Sequence, residues 1–260
     1  MLFRSVVPGM TAALLPGPYA WGSYRCEVRH VVTTKTPAGT YRAPGRYEAN
    51  FARERLIDIA AHRLGLDPTE LRRRNLIPST AMPYASGTHT DGHPVVYDSG
   101  DYALLLEKAE TTFDVAALRR WRSETPSPGH RRGLGVGLFV EKSGIARWEY
   151  ARVELDSRGR TRVFSGGADV GQGHATTLAQ VCAEALGVPF DDIDVLHGDT
   201  GTVPDGMGAF GSRAATLGGS AVLIGSERLR GRILGLASEL LEIAPDDLEI
   251  DGDSVVARDR

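Results

Sequence analysis

Cysteine is scarce: Cys26 and Cys182 are the only two in 260 residues, and neither belongs to a CxxC pair. That excludes a zinc ribbon, a cysteine-ligated iron–sulfur cluster and a disulfide framework, and it fits a reducing, cytoplasmic compartment. Lysine is scarcer than its partner cation. Lys35, Lys108 and Lys142 stand alone, so arginine supplies nearly all the positive charge, as planar donors suited to carboxylate or phosphate. A basic excess is missing, since Lys+Arg 30 against Asp+Glu 33 leaves a net charge of −3. This argues against broad electrostatic binding of nucleic acid. Long apolar runs are missing as well: no stretch reaches the ~18 residues a membrane span needs. The best candidate, Ala221 to Leu241, carries Glu227, Arg228, Arg230 and Arg232. Pro8 and Pro16 interrupt the apolar opening, against a signal peptide.

Glycine is plentiful, at 31 residues, and the chain is long enough for two modules. Tyr24 to Thr34 alternates like a half-buried strand and feeds a loop from Lys35 to Arg46 that Pro37, Gly39, Pro44 and Gly45 keep irregular. Tyr47 to Leu64 has helical spacing that Gly65 ends. Asp67-Pro68-Thr69-Glu70 starts a short helix, with Asp67 as cap and Glu70 reaching back to it. Residues 76–98 read as an ordered loop and Asp101 to Arg122 as a helical stretch. Pro126, Pro128 and Gly129 mark 125–131 as a linker. Beyond it, Leu134–Val140, Trp148–Leu155 and Thr161–Phe164 read as strands, His174–Leu186 as a helix and Ile193–Leu196 as a strand. Gly198–Gly211 is a loop, Ser212–Ile243 a helix, and LEIDGDSVVA a hairpin around Asp251-Gly252. The fold class expected is α+β.

Two stretches carry chemistry. In FSGGADVGQGHATTLAQ a strand runs through Gly166, Gly167, Gly171 and Gly173 into a helix. Glycines let a backbone approach a ligand, and open amides at a helix start favour an anion. The same features also describe a tight connection capped by Thr176 or Thr177. In GDTGTVPDGMGAFGSRAATLGG a second glycine-rich loop ends at Ser212, Arg213 and Thr216, a hydroxyl, a charged fork and another hydroxyl for a phosphate. Its plain alternative is a capped helix with a solvated arginine. Other motifs fail on context. Gly133-Leu134-Gly135-Val136-Gly137 lies in an expected strand with no helix after it, and Gly218-Gly219-Ser220-Ala221 is followed by Val222 rather than the glycine of a nucleophile elbow. His89 and His93 flank Asp91, a pattern more often solvated than metal-binding.

TYRAPGRYEANFARERLIDIAAHRLGLDPTELRRRNLI, PY, YDSGDY, GADVGQGHATTLAQVCAEALG and GDTGTVPDGMGAFGSRAATLGGSAV together resemble the molybdenum-binding large subunit of the xanthine dehydrogenase/aldehyde oxidase family, which includes the carbon monoxide dehydrogenase large chains. The resemblance implies parts of two molybdopterin-binding domains, residues 1–124 and 132–260. It implies an active-site loop at Tyr41, Arg42, Ala43 and Pro44. Cofactor contacts would come from Gly171, Gln172 and Gly173, and from Gly211, Ser212, Arg213, Ala214, Ala215 and Thr216, the last group resembling the segment that binds molybdopterin cytosine dinucleotide. No side chain would ligate the metal directly. Carbon monoxide dehydrogenases have a cysteine where Ala43 stands, leaving aldehydes, purines or other N-heteroaromatics as substrates.

The chemistry implied is hydroxylation with oxygen from water and a glutamate as base, electrons leaving through 2Fe-2S clusters and FAD on partner subunits. The Gly-x-Gly-Glu segment that supplies the base and an upstream glycine-rich stretch have no counterpart here, and neither Glu141 nor Glu149 has that context. The expectation is an internal portion of a large subunit, active only with the glutamate from another segment or a complementary large-subunit chain. A non-catalytic remnant or cofactor-binding module is the alternative, and an unrelated phosphate-ligand protein a third reading.

Overall fold

The computed structural model describes residues 6–29, 31, 33–36, 39–90 and 92–258. The expectations for Met1 to Ser5, His30, Val32, Pro37, Ala38 and Asp91 lie outside them. Two compact units divide between Glu141 and Lys142, ten residues past the proline-rich stretch at 125–131. Helices and sheets are mixed in the chain, as the α+β class requires.

In the first unit, α1 (Val6–Leu14), α2 (Arg46–Leu64) and α3 (Pro68–Asn75) precede the hairpin β1 (Tyr84–Thr90) and β2 (His93–Tyr97); α4 (Tyr102–Thr112) and α5 (Val115–Ser123) follow. Gly65, at φ 65°, ends α2 by donating to the Ala61 and His62 carbonyls. Asp67 caps α3 through the amides of Thr69 and Glu70. Glu70 does not complete a capping box, because its carboxylate pairs with Arg73 and Arg74 instead. Tyr19, Leu76, Leu106 and Leu138 form the apolar centre.

Four expectations for this region are corrected. Residues 76–98 hold a hairpin rather than a loop. It lacks an apolar stripe because the ladder is two-stranded and docks through hydroxyls, Thr88 on the Ala13 carbonyl (2.8 Å) and Thr90 on Met10 Sδ. The helix over 101–122 is two, since Asp114 takes a left-handed φ of 41° and recaps the chain at Ala117. Tyr24–Thr34 forms no strand in its described residues. Neither does Leu134–Val140, although Leu134, Val136, Leu138 and Val140 point inward in alternation. Alternation records which side is buried, whereas a strand also needs a partner's hydrogen bonds.

In the second unit, β3 (Ala151–Leu155) pairs antiparallel with β4 (Thr161–Ser165), and β4 pairs parallel with β5 (Ile193–Leu196) through the crossover helix α6 (His174–Leu186). Helix α7 (Gly219–Leu241) packs on α6 and β3, and β6 (Leu248–Asp251) turns through Gly252 into β7 (Ser254–Ala257). Val163, Leu178, Cys182, Leu186, Ile193 and Val222 form the core. Burial raises the Cys182 thiol pKa, so it packs as a small apolar group. The helix expected from Ser212 begins instead as a π-helical turn, Ala214–Gly218. No helix of the described residues is long and apolar enough to cross a membrane.

Candidate functional site

The loop between β4 and α6 is built on its own backbone. Gly173, at φ 73°, is the residue before α6, so the turn into the helix is left-handed and neither Thr176 nor Thr177 caps it. Asp169 supplies the carboxylate: Oδ1 accepts from the Gly171 amide (2.9 Å) and Oδ2 from Ala175 (3.1 Å). Those amides hold its pKa below the usual carboxylate range. Gln172 folds back over the loop, with Oε1 accepting from Val170 (2.6 Å) and Nε2 donating to the Ala168 carbonyl (2.9 Å). Gly171, Gln172 and Gly173 are exposed, and a Cβ on Gly171 or Gly173 would meet nothing within 4 Å. Among the described residues the amides of Gly173, His174 and Thr176 have no hydrogen-bond acceptor.

The second loop ends in the opposite way. Arg213, expected as a solvated or ligand-facing fork, is 1% exposed. Its Nε donates to the Ile145 carbonyl (3.0 Å), Nη1 to Glu149 Oε2 and the Gly208 carbonyl, and Nη2 to the Trp148 carbonyl. It is turned inward because burial of a guanidinium requires acceptors on several sides, and the 145–149 and 207–210 segments provide them. Ser212 is exposed at φ 55°, and the carbonyls of Gly211 and Ser212 accept from Ile145 and Gly144. The amides of Ala214, Ala215 and Thr216 open the π-helical turn without an acceptor among the described residues. Thr216 Oγ1 is spent on the Ser212 and Arg213 carbonyls.

The two loops meet. The backbone of Gly166 lies directly against that of Gly206, leaving no room for a Cβ on either. His174, first residue of α6, stands 3.7 Å from where a Cβ on Gly218 would be. Its buried ring is 3.4 Å from Ser165 Oγ and edge-on to His197. Sequence reasoning missed Glu149 and His174. The first had no motif around it, and the second lay inside one without a role of its own.

In the first unit, Tyr41 (76% exposed) and Arg42 point outward, while Ala43 is left-handed at φ 54° and Pro44 is half-buried just before α2. Arg46 pairs with Glu141 at 2.9 Å. His89 and His93 belong to no group of metal-ligating side chains among the described residues.

Residues 108–260 and 2–76 each match the family described as a molybdopterin cofactor-binding domain. The chain belongs to the molybdopterin-binding large-subunit family of molybdenum oxidoreductases. It is 40% identical, over 94% of its length, to the 6-hydroxypseudooxynicotine dehydrogenase complex subunit gamma of Paenarthrobacter nicotinovorans. It is 33% identical, over 89%, to the carbon monoxide dehydrogenase large chain of Afipia carboxidovorans. The chain spans 31% of each of these relatives. Among solved structures, quinoline 2-oxidoreductase from Pseudomonas putida 86 superposes at a TM-score of 0.81 with 31% identity, covering 98% of this chain and 33% of that one.

Proposed function

We propose that the chain supplies the cofactor-binding loops of a molybdenum hydroxylase acting on N-heteroaromatic compounds, purines or aldehydes. The contact of Gly166 with Gly206 carries this reading, because it puts two glycine-rich loops, each leading to unpaired main-chain amides, side by side in one unit. The residues fit an anionic, dinucleotide-bearing cofactor. Amides at Gly173, His174 and Thr176 and at Ala214, Ala215 and Thr216 would hold it, with the Ser212 hydroxyl and the Gln172 amide beside them. Molybdopterin cytosine dinucleotide is the form assigned. Gly211 and Arg213 serve from behind, shaping the loop rather than touching the ligand. Asp169 already occupies two amides of the first loop, so phosphate would approach the others.

When bound, the cofactor supplies the redox centre at which a substrate carbon gains an oxygen taken from water. Tyr41, Arg42, Ala43 and Pro44 would line the substrate side. Alanine at 43 argues against carbon monoxide, and relatives named for oxynicotine and quinoline substrates favour an N-heterocycle. The general base comes from outside these residues: Glu149 is committed to Arg213 and Glu141 to Arg46. Subunits carrying 2Fe-2S clusters and FAD take the electrons in the cytoplasm. Residues 1–124 and 132–260 represent portions of two successive molybdopterin-binding domains joined by 125–131.

The test is to purify the chain with its neighbouring subunits and assay bound molybdenum and released cytosine nucleotide. Both are expected in stoichiometric amounts, and Gln172→Ala should lower them without changing the melting temperature. A folded complex with neither refutes the reading, and a complex that holds both but never turns over leaves the non-catalytic binding module.

A further inference from the structure

Glu149 is a buried carboxylate outside the groups proposed above to hold the cofactor, and it stands where the two glycine-rich loops touch. Its side chain is 3% exposed. Oε1 accepts from the amides of Tyr150 (2.8 Å) and Met207 (3.1 Å), and Oε2 pairs with Arg213. The same carboxylate fills the space beside Gly166 that a Cβ would need, at the point of backbone contact with Gly206. Arg213 extends the grip to the Gly208, Trp148 and Ile145 carbonyls and lies over the Phe210 ring at 5.4 Å. Every one of these partners lies outside helices and strands.

A buried ion pair is a poor device for stability alone, because desolvation offsets most of the attraction and apolar groups of equal size do as well. It is a good device for fixing one arrangement among several, since each oxygen demands a particular donor. Loops of glycine have many arrangements available and no side chains to choose among them. We infer that Glu149 is a positioning residue: together with Arg213 it clasps the 206–213 loop onto Gly166 and sets the spacing between the two groups of backbone amides. That the spacing serves a cofactor rests on the function proposed above; the clasp itself does not.

Amide hydrogen exchange on the full chain separates a clasp from an ordinary core pair. Glu149→Gln keeps the shape but removes the charge that compensates Arg213. It should speed exchange roughly ten-fold or more at Gly166, Gly167 and Met207 alike, the scale of a lost charged hydrogen bond, and leave α6 and β4 protected. Leu186→Ala, a core control, should speed α6 instead. Glu149→Asp, one methylene short, should give a smaller change in the same two loops, and it carries the comparison if the Gln variant does not fold. Faster exchange at 206–213 only, or a uniform increase matching Leu186→Ala, overturns the clasp. The loop pattern in a wild-type complex that holds neither molybdenum nor nucleotide would break the cofactor reading and leave the clasp standing. Loosened loops with full cofactor retention would overturn the claim that the spacing serves the ligand.

Discussion

Each unit buries a glutamate against arginine, Glu54 between Arg53 and Arg72 and Glu149 against Arg213, and the two do different work. Glu54, in α2, accepts from Arg53 (2.8 Å), Arg72 (2.9 Å), the Tyr19 hydroxyl (3.0 Å) and the Leu138 amide (3.2 Å). Arg53 goes on to the Leu14, Leu15 and Leu138 carbonyls, and Arg72 to Asp58 and the Pro68 carbonyl. That network ties α2 and α3 to the end of α1 and to the extended 134–141 segment. Burial, reinforced by the Glu54 charge, holds the Tyr19 phenol well above its ordinary pKa, so it remains a donor. Glu149 holds loops only. The residue pair is the same, and what it does is set by whether its partners are regular elements or a glycine-rich backbone.

The difference should appear first in global stability. Glu54→Ala leaves the buried Arg53 without a carboxylate and Arg72 with Asp58 alone, and a loss of about 3–5 kcal/mol is expected by urea titration. A loss under about 1 kcal/mol, the scale of an exposed pair, would mean that the network is decoration on a packed core. Gly166→Ala probes the other unit. A methyl there has backbone of Gly206 on one side and the Glu149 carboxylate on the other, so an overpacking cost of about 1–3 kcal/mol is expected. Its exchange increase should stay within the two loops, whereas that of Glu54→Ala should spread over α2 and α3. Equal spread in both variants would erase the comparison.

Helix and strand positions in the second unit, the start of α7 excepted, were legible because period and punctuation agree there. His174–Leu186 lies between Gly173 and Gly187, and Ile193–Leu196 is found where its apolar run stands. In the first unit alternation misled twice: Leu134–Val140 turns its apolar side inward without forming a ladder, and at Tyr24–Thr34 even the apolar Tyr24 and Val28 are exposed. Of the site, the loops could be read and the inward arginine could not. Nothing local to Arg213 says that Ile145, Trp148 and Glu149, more than sixty residues upstream, converge on it. Such a contact is written only in the fold, and its one trace in the sequence is a glutamate without a motif.

The smallest effect expected is a pH dependence confined to the loop unit. His174 is buried at the start of α6, and burial, reinforced by the neighbouring His197, lowers its pKa, while the Asp169 and Glu149 charges oppose that. Its folded pKa therefore lies below the value in the unfolded chain, ordinarily about 6.5. Between those two values the unfolded chain binds the extra proton, so stability rises with pH through that window. The stabilisation is complete above the unfolded pKa and is lost as pH falls toward and below the folded one. His174→Gln, which keeps a polar group near Ser165 but cannot titrate, should flatten the rise in melting temperature between about pH 5 and 7 relative to wild type. Identical profiles for wild type and variant would show that the ring is solvated enough to titrate normally. The close approach of α6 to the start of α7 would then rest on the glycines alone.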